Sequence, residues 1–272
     1  MWFSKPRPEK AGQKNVHIKE GIFEGEYAFR GSFHATVQNG DFRGPHAFHA
    51  AQDARVLDGR FSNAFSFYAG ERLEINGGEF SGSMACYGLK TAAVKGGTFS
   101  GEYAFCESSD VVLTGGDFTG RGALSEARQA EVRDGRFDGA EFGITAFGMV
   151  IHGGHFSGPE LLRSSIRAVI LGGTMTGSNV LAEATEARVM TDGTIVHLGR
   201  VLSGVVAARR IEAISPDLVV SGGMIIMAEE TGTADARVIL LPPGTIPAGG
   251  SADAGQALSR LQSLVDAYAG RE

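Results

Sequence analysis

The stretch Phe42–Phe61 reads F-R-G-P-H-A-F-H-A-A-Q-D-A-R-V-L-D-G-R-F, and its pattern returns every 19 residues along most of the chain. We number positions from its first phenylalanine, which is position 0, and name each coil by the residue there. The residues at position 0 are Phe23, Phe42, Phe61, Phe80, Phe99, Phe118, Phe137, Phe156 and Met175. A fixed repeat of roughly 20 to 50 residues is the sequence signature of a solenoid, in which each repeat is one structural unit.

The apolar positions of the repeat indicate short strands. Position +14 is always valine, isoleucine or leucine, and position +12 is always small or apolar. A spacing of two places both side chains on one face of a strand. Position +6 adds a third apolar column, which is broken at Gly143. Three apolar strands per coil predict an all-β fold, a right-handed parallel β-helix of about nine to eleven 19-residue coils, because parallel crossovers are nearly always right-handed.

Glycine marks two corners of the predicted coil. Position +17 is glycine in every coil except the last, as in Asp58-Gly59. Position +2 is glycine in every coil except that of Phe61, where Asn63 replaces it. Glycine and asparagine adopt a positive φ most readily, so we expect a left-handed backbone at both positions.

The extent of the repeat sets the predicted domain boundaries. Residues 1–15 are expected to be an N-terminal tail or cap, and residues 16–240 the parallel β-helix, whose spacing slips by one residue after Met175. Residues 241–250 contain proline and glycine and predict a linker. Residues 251–272 predict an amphipathic C-terminal α-helix that could cap the coils, pack on their flank or pair with another chain. Its apolar face comprises Leu258, Leu261, Val265 and Tyr268.

Composition narrows the functional classes. The formal net charge of −6 argues against a general nucleic-acid or anionic-membrane binder, because an acidic chain gains no counterion-release energy from such partners. Met1–Lys10 shows no secretory signal, and the chain has no apolar run long enough to span a bilayer, so we expect a cytoplasmic protein. Cys86 and Cys106 occupy different positions of the repeat and are expected to be free thiols.

The F-x-G-x-x-A-F segments Phe23–Phe29, Phe42–Phe48 and Phe99–Phe105 resemble those of bacterial single-stranded right-handed parallel β-helix proteins, whose architecture is pectate-lyase-like. They resemble most an uncharacterised branch, a domain of unknown function with F-x-G-E-x-A-[FL] segments. The resemblance covers roughly residues 16–215 and implies the fold. It implies no catalytic residue, because the acidic and basic cluster of the polysaccharide enzymes has no counterpart in this sequence.

Two columns of the repeat are chemically coherent enough to suggest a binding surface. Position +4 gives Tyr27, His46, Phe65, Met84 and Tyr103, and position +7 gives Arg30, His49, Tyr68 and Tyr87. Facing outward, these columns would form an aromatic surface for sugar rings or a partner protein; facing inward, they would be core. The candidate ligand-binding residues are Tyr27, His46, His49, Tyr68, Tyr87 and Tyr103.

Two smaller clusters suggest chemistry less specifically. Glu107 and Glu126 share position +8 on adjacent coils, so their α-carbons are expected about 4.8 Å apart, a range at which two carboxylates could serve as acid and nucleophile in a retaining glycosidase. His152 and His155 flank the corner Gly153-Gly154 and are possible metal ligands, without a third ligand type beside them. Both clusters are more typical of surface side chains, so we predict no catalytic residue, metal or cofactor.

The sequence therefore favours a non-enzymatic β-helical scaffold or interaction protein. Its partner would be another protein or a second copy, bound through the C-terminal helix or a sheet flank. The alternative is a carbohydrate-binding or carbohydrate-processing β-helix that uses the aromatic columns of the first coils. Neither nucleic acid nor a membrane is an expected partner.

Overall fold

The computed structural model describes residues 11–198, 204–211, 224–227 and 238–240. These residues form a right-handed parallel β-solenoid of about nine turns, with about 19 residues per turn, as the repeat predicts. The predicted linker, residues 241–250, and the predicted C-terminal helix, residues 251–272, lie outside the described residues. The chain divides into two compact units, Met1–Glu131 and Val132–Glu272.

In the first unit, short strands occupy two sides of every coil. One set lies at positions +10 to +15 and the other at positions +17 to 0. The strands are β1 (His17–Ile18), β2 (Gly21–Phe23), β3 (Thr36–Val37), β4 (Gly40–Phe42), β5 (Arg55–Val56), β6 (Gly59–Phe61), β7 (Glu71–Asn76), β8 (Glu79–Phe80), β9 (Lys90–Lys95), β10 (Thr98–Phe99), β11 (Ser109–Thr114) and β12 (Asp117–Phe118). Each strand pairs in parallel with its equivalent one coil away, so that Phe80 of β8 pairs with Phe61 and Phe99. Lys14 already bridges Phe33, so the register begins within the first described residues.

The core of the first unit is a ladder of stacked phenylalanine rings. The rings of Phe61 and Phe80 are 4.8 Å apart, and those of Phe80 and Phe99 are 4.6 Å apart. A second stacked column at position +6 meets the first edge-on, as Phe48 does at 5.1 Å from Phe42. Burying each such ring stabilises the fold by roughly 1.5–3 kcal/mol before conformational entropy is subtracted. The predicted stacking of like side chains is confirmed.

The third side of the coils in the first unit is not the predicted strand. In the first unit it is a run of turns, because residues at positions +4, +6 and +8 have positive φ, as in His46 (φ 59°), Phe48 (φ 56°) and Ala50 (φ 52°). The amide of Phe48 donates to the carbonyl of Ala28 in the coil before, and that of His46 donates to the carbonyl of Ala64 in the coil after. Left-handed backbone costs a side-chain-bearing residue roughly 1–2 kcal/mol. Hydrogen bonds to both neighbouring coils offset that cost.

The expected left-handed backbone is found at most glycines of position +17 and, apart from Gly158, not at those of position +2. Gly97, at position +17, has φ 91°. Gly101, at position +2, does not have a positive φ; instead, a Cβ there would overlap the carbonyl oxygen of Gly82 and lie 2.5 Å from its carbonyl carbon. At Gly101, glycine is therefore required for space. Asn63 occupies the same position with ordinary φ, and its amide group donates to the carbonyl oxygen of Arg43 over 3.0 Å.

From Glu131 onward the same two strand sides recur, and a short strand on the third side, Glu160–Leu161, pairs in parallel with Asn179 and Val180. The strands are β13 (Glu131–Arg133), β14 (Arg136–Phe137), β15 (Val150–His152), β16 (His155–Ser157), β17 (Glu160–Leu161), β18 (Val169–Leu171), β19 (Thr174–Val180), β20 (Ala187–Leu198), β21 (Gly204–Ile211), β22 (Met224–Met227) and β23 (Val238–Leu240). Met175 pairs with Ile195, 20 residues later, with a register shift between β19 and β20. The one-residue slip expected after Met175 is thereby confirmed.

The apolar column at position +6 is interrupted at Gly143, and the preceding residue, Phe142, fills the gap. Phe142 is buried, with its ring 4.7 Å from that of Phe137 and 5.0 Å from that of Phe156. The side chains of Leu162 and Met149 approach the place where a Gly143 side chain would lie. The core of the second unit is therefore closed at this coil by a shifted aromatic ring.

Candidate functional site

The two aromatic columns lie together on the turn side of the first unit. On this side residues with positive φ alternate with residues whose φ is negative. As a result, Ala47 and Phe48 point inward and are buried, whereas His46 and His49 are half-buried at the surface. All six candidate ligand-binding residues belong to this surface, which we call the aromatic face. It consists of Tyr27, His46, Phe65, Met84 and Tyr103 from position +4, and Arg30, His49, Tyr68 and Tyr87 from position +7.

Within each column the rings stack on one another. In the first column, His46 lies 4.6 Å from Tyr27 and 4.8 Å from Phe65, with interplanar angles of 11° and 6°. In the second column, Tyr68 lies 5.2 Å from His49 and 5.3 Å from Tyr87. The columns meet edge-on, as His46 and His49 do at 5.6 Å. These are favourable aromatic geometries, and they tie neighbouring coils together.

The stacking decides which part of each ring a ligand can reach. A ring between two stacked neighbours has both of its faces covered, so a partner meets its edge. The face is thus neither the fully buried core nor the open stripe of ring faces that the sequence left as alternatives. At the end of the first column the ring of Tyr103 lies over Gly122, where a Cβ would come within 2.6 Å of Tyr103 Cε1.

Sequence reasoning selected six residues of the face and left out three, together with the glycine that ends it. Phe65 and Met84 occupy position +4 between selected residues, and Arg30 begins the position +7 column. Gly122 supplies the space in which the Tyr103 ring lies. In the sequence, the end of the column is indicated by the change at position +4 from Tyr103 to Gly122.

The middle of the aromatic face carries no formal charge. Positions +3 to +8 of three consecutive coils read P-H-A-F-H-A (45–50), A-F-S-F-Y-A (64–69) and S-M-A-C-Y-G (83–88). Charge appears at the two ends, with Arg30 at one and Glu107 at the other. The strand sides of the same coils differ, since they carry ion pairs such as Arg60 with Glu79 at 2.9 Å.

Two histidines near one end of the face, His46 and His49, bury one ring nitrogen each. The Nδ1 atoms of His46 and His49 are shielded from water and have no hydrogen-bond partner among the described residues. Partial burial lowers the pKa of His49 below its ordinary value, and the nearby Arg30 and His46 lower it further. The Arg30 guanidinium lies 5.2 Å from the centre of the Tyr27 ring, a cation–π contact.

At the other end, Tyr87 joins the face to an exposed carboxylate. Its hydroxyl donates a hydrogen bond to Glu107, and this bond, followed by burial, raises the pKa of Tyr87. Of the predicted glycosidase-like pair, Glu107 is therefore a hydrogen-bond acceptor, and Glu126 is exposed.

The two cysteines beside the face are buried and free. Burial raises the pKa of the Cys86 thiol. Burial, followed by the charges of Glu126 and Glu107, raises the pKa of Cys106 to about 12. Neither thiol is therefore poised to act as a nucleophile, because nucleophilic attack requires the thiolate.

Within the described ranges, no group of three or more histidine, cysteine or acidic side chains is arranged to hold a metal ion. His155 is exposed and lies 4.0 Å from Asp138. The part of the chain that the structure describes also contains no helix long and apolar enough to cross a membrane. No family model, curated protein or solved structure matches the chain, so the aromatic face has to be interpreted from its own chemistry.

Proposed function

We propose that this chain is a non-enzymatic interaction protein that binds an uncharged, extended segment of a partner protein along the aromatic face. The observation that carries the proposal is the two-column array of edge-exposed rings, which is free of formal charge over three coils. Tyrosine, methionine and arginine are enriched in protein interfaces, whereas charged residues are depleted from interface centres.

The dimensions of the face suit a narrow partner. Five coils separated by roughly 4.8 Å give a length of about 19 Å, which equals about six residues of extended chain. Two columns provide width for one such segment. The large flat interfaces of stable dimers bury about 800 Å² on each partner, whereas the aromatic face consists of two narrow columns of half-buried rings.

The ring geometry favours a protein segment over a sugar. Sugar rings commonly stack on aromatic ring faces, and here neighbours 4.6–5.3 Å away cover those faces. Ring edges, tyrosine hydroxyls and imidazole nitrogens remain, and they suit the amides and apolar groups of a peptide. A charged segment would lose hydration without meeting an opposite charge in the centre of the face.

A charge-insertion variant tests the proposal. Ala69→Glu places a carboxylate in the uncharged centre at position +8, where Glu107 and Glu126 show that a coil accepts glutamate. The matched control is Thr98→Glu, at an exposed position of strand β10. Thr98 pairs with Glu79 of the coil before, so this position of the coil already accepts a glutamate. The wild type, both variants and His49→Ala/Tyr68→Ala would be screened against a displayed library of random peptides and against a glycan array.

We expect the wild type and Thr98→Glu to select uncharged peptides that neither Ala69→Glu nor the double variant binds. Melting temperatures of the four proteins establish that the loss is not unfolding. Glycan binding that disappears in Ala69→Glu would replace the proposal with carbohydrate recognition. Peptide selection that ignores both sets of substitutions, or no selection at all, would also overturn it.

A further inference from the structure

A second surface of different chemistry lies on the strand side of the second unit. Phe147 and Ile166 are 38% and 41% exposed, and they bridge each other at position +10 of adjacent coils. Val150 of β15 and Val169 of β18 pair beside them at position +13 and are half-buried. We call these four residues the apolar flank. Scattered apolar side chains on a surface are ordinary, but four in register on two coils form a patch.

The flank contrasts with the equivalent positions of other coils. In the first unit position +10 is the half-buried Phe33 on the Phe23 coil and is polar on the five coils that follow, as at Gln52, Glu71 and Lys90. On the coils of Phe137 and Phe156 the position is apolar, the next coil has Thr185 there, and a cation borders the apolar pair. The Arg167 guanidinium lies 5.5 Å from the centre of the Phe147 ring and pairs with Glu186 at 2.7 Å.

We propose that residues 251–272 of the same chain dock as a helix on the apolar flank. The sequence of this segment places Leu258, Leu261, Val265 and Tyr268 at spacings of three and four residues, which gives a helix one apolar stripe. The apolar stripe of this helix and the apolar flank would each contribute four apolar side chains to the contact. This inference is independent of the aromatic face and of the function proposed for it.

The chain between the flank and the segment is long enough for docking. Strands β18, β20, β21, β22 and β23 pair in succession, so β23 lies four strand spacings, or about 19 Å, from β18. Residues 241–250 can span up to about 33 Å when extended. A helix over residues 251–269 would be roughly 28 Å long, enough to run back along several coils.

Cross-linking in the full-length chain tests the docking directly. Ile166→Cys combined with Leu261→Cys would be treated briefly with a short bis-maleimide, with which the buried Cys86 and Cys106 react slowly in the native protein. We expect an intramolecular cross-link whose yield does not depend on protein concentration. The control pairs Leu261→Cys with His155→Cys, an exposed residue on β16, and should give little product.

A labelling rate provides a second readout that does not need two engineered cysteines. The thiol of Ile166→Cys alone should react slowly with a monofunctional maleimide while the helix covers it. Adding Val265→Asp should raise that rate by roughly tenfold or more, because a charge on the stripe releases the helix. A cross-link found as a dimer, equal cross-linking of the His155→Cys control, or a labelling rate unchanged by Val265→Asp would overturn the proposal.

Discussion

At the scale of single residues, the phenylalanines at position 0 stabilise the fold by stacking on the rings of the coils before and after them. Phe80 is 1% exposed and stacks at 4.8 Å on Phe61 and at 4.6 Å on Phe99. We expect Phe80→Ala to lower the free energy of unfolding by about 3–5 kcal/mol, because both neighbours lose contacts and the coil cannot collapse into the cavity. Urea denaturation followed by circular dichroism measures this loss. Phe23→Ala, whose ring is half-buried, is the control and should cost less; equal losses would show that stacking is not the source.

His49 gives the aromatic face a dependence on pH. Burial, Arg30 and His46 lower its pKa from the ordinary value of 6.5, and the rings of Tyr27 and Tyr68 pack against it without supplying a negative charge. A lowered pKa means that the unfolded chain takes up the proton at higher pH than the folded chain. The stability contributed by neutral His49 is therefore present above about pH 6.5 and is lost as pH falls through that value toward the folded pKa.

We expect His49→Gln to be less sensitive to this pH change than the wild type. Urea unfolding of both proteins at about pH 7.5 and about pH 5.5 compares them, and His34→Gln, at an exposed histidine, controls for the loss of any imidazole. A wild type and His49→Gln that lose equal stability on acidification would contradict the assigned role of His49.

The sequence predicted the inward columns because hydrophobic periodicity is a direct readout of burial. Positions 0, +12 and +14 are buried as expected, for example Phe61, Leu73 and Ile75. The orientation of Tyr27 and His46 could not be obtained in this way, since aromatic residues occur both in cores and at surfaces. Their half-buried state follows from the alternating backbone of the turn side, and residues such as tyrosine and phenylalanine give no signal for a positive φ.

At the scale of elements, the glycines of the two corners serve different physical purposes, and substitution can separate them. Gly101 lacks space for a Cβ against Gly82, whereas Gly96, which precedes the position +17 glycine, has φ 66° and open space where a Cβ would lie. We expect Gly101→Ala to cost about 3 kcal/mol or more, because the coils must move apart. Gly96→Ala should cost roughly 1 kcal/mol, the penalty of a left-handed alanine. Urea midpoints compare the two variants, and a larger cost for Gly96→Ala would reverse this assignment.

The third side of the coil shows why the sequence could predict coils without predicting every element. Position +6 carries phenylalanine or leucine in most coils, and such a column is what a strand would also contain. In the first unit, hydrogen bonds to the coil before and the coil after stabilise a left-handed backbone at Phe48 and Phe67 instead. Tertiary pairing thus overrides local propensity, and a pattern of side chains does not report it.

At the scale of the whole molecule, an interval of 19 residues carries most of the information about the fold. Coils of equal length place equal side chains in register, and register then determines strand pairing, core and surface columns together. The aromatic face follows the same rule, since a column is chemically coherent where its residues are alike on successive coils. The face ends at Gly122 for the same reason.

The register of the coils also predicts how the first unit unfolds locally, and the modification rates of Cys86 and Cys106 measure this unfolding. Cys86 and Cys106 lie on neighbouring coils, and each coil is covered chiefly by its neighbours, so exposing one thiol disrupts the packing around the other. Burial raises the pKa of both thiols, to about 12 for Cys106, so reaction in the folded state is slow and modification requires opening. We expect Cys86→Ser and Cys106→Ser, each with one remaining thiol, to react with a disulfide reagent at the same rate. That rate should rise with urea in parallel with the unfolding rate followed by circular dichroism, whereas modification of Cys106 in native buffer while Cys86 stays protected would show that neighbouring coils open independently.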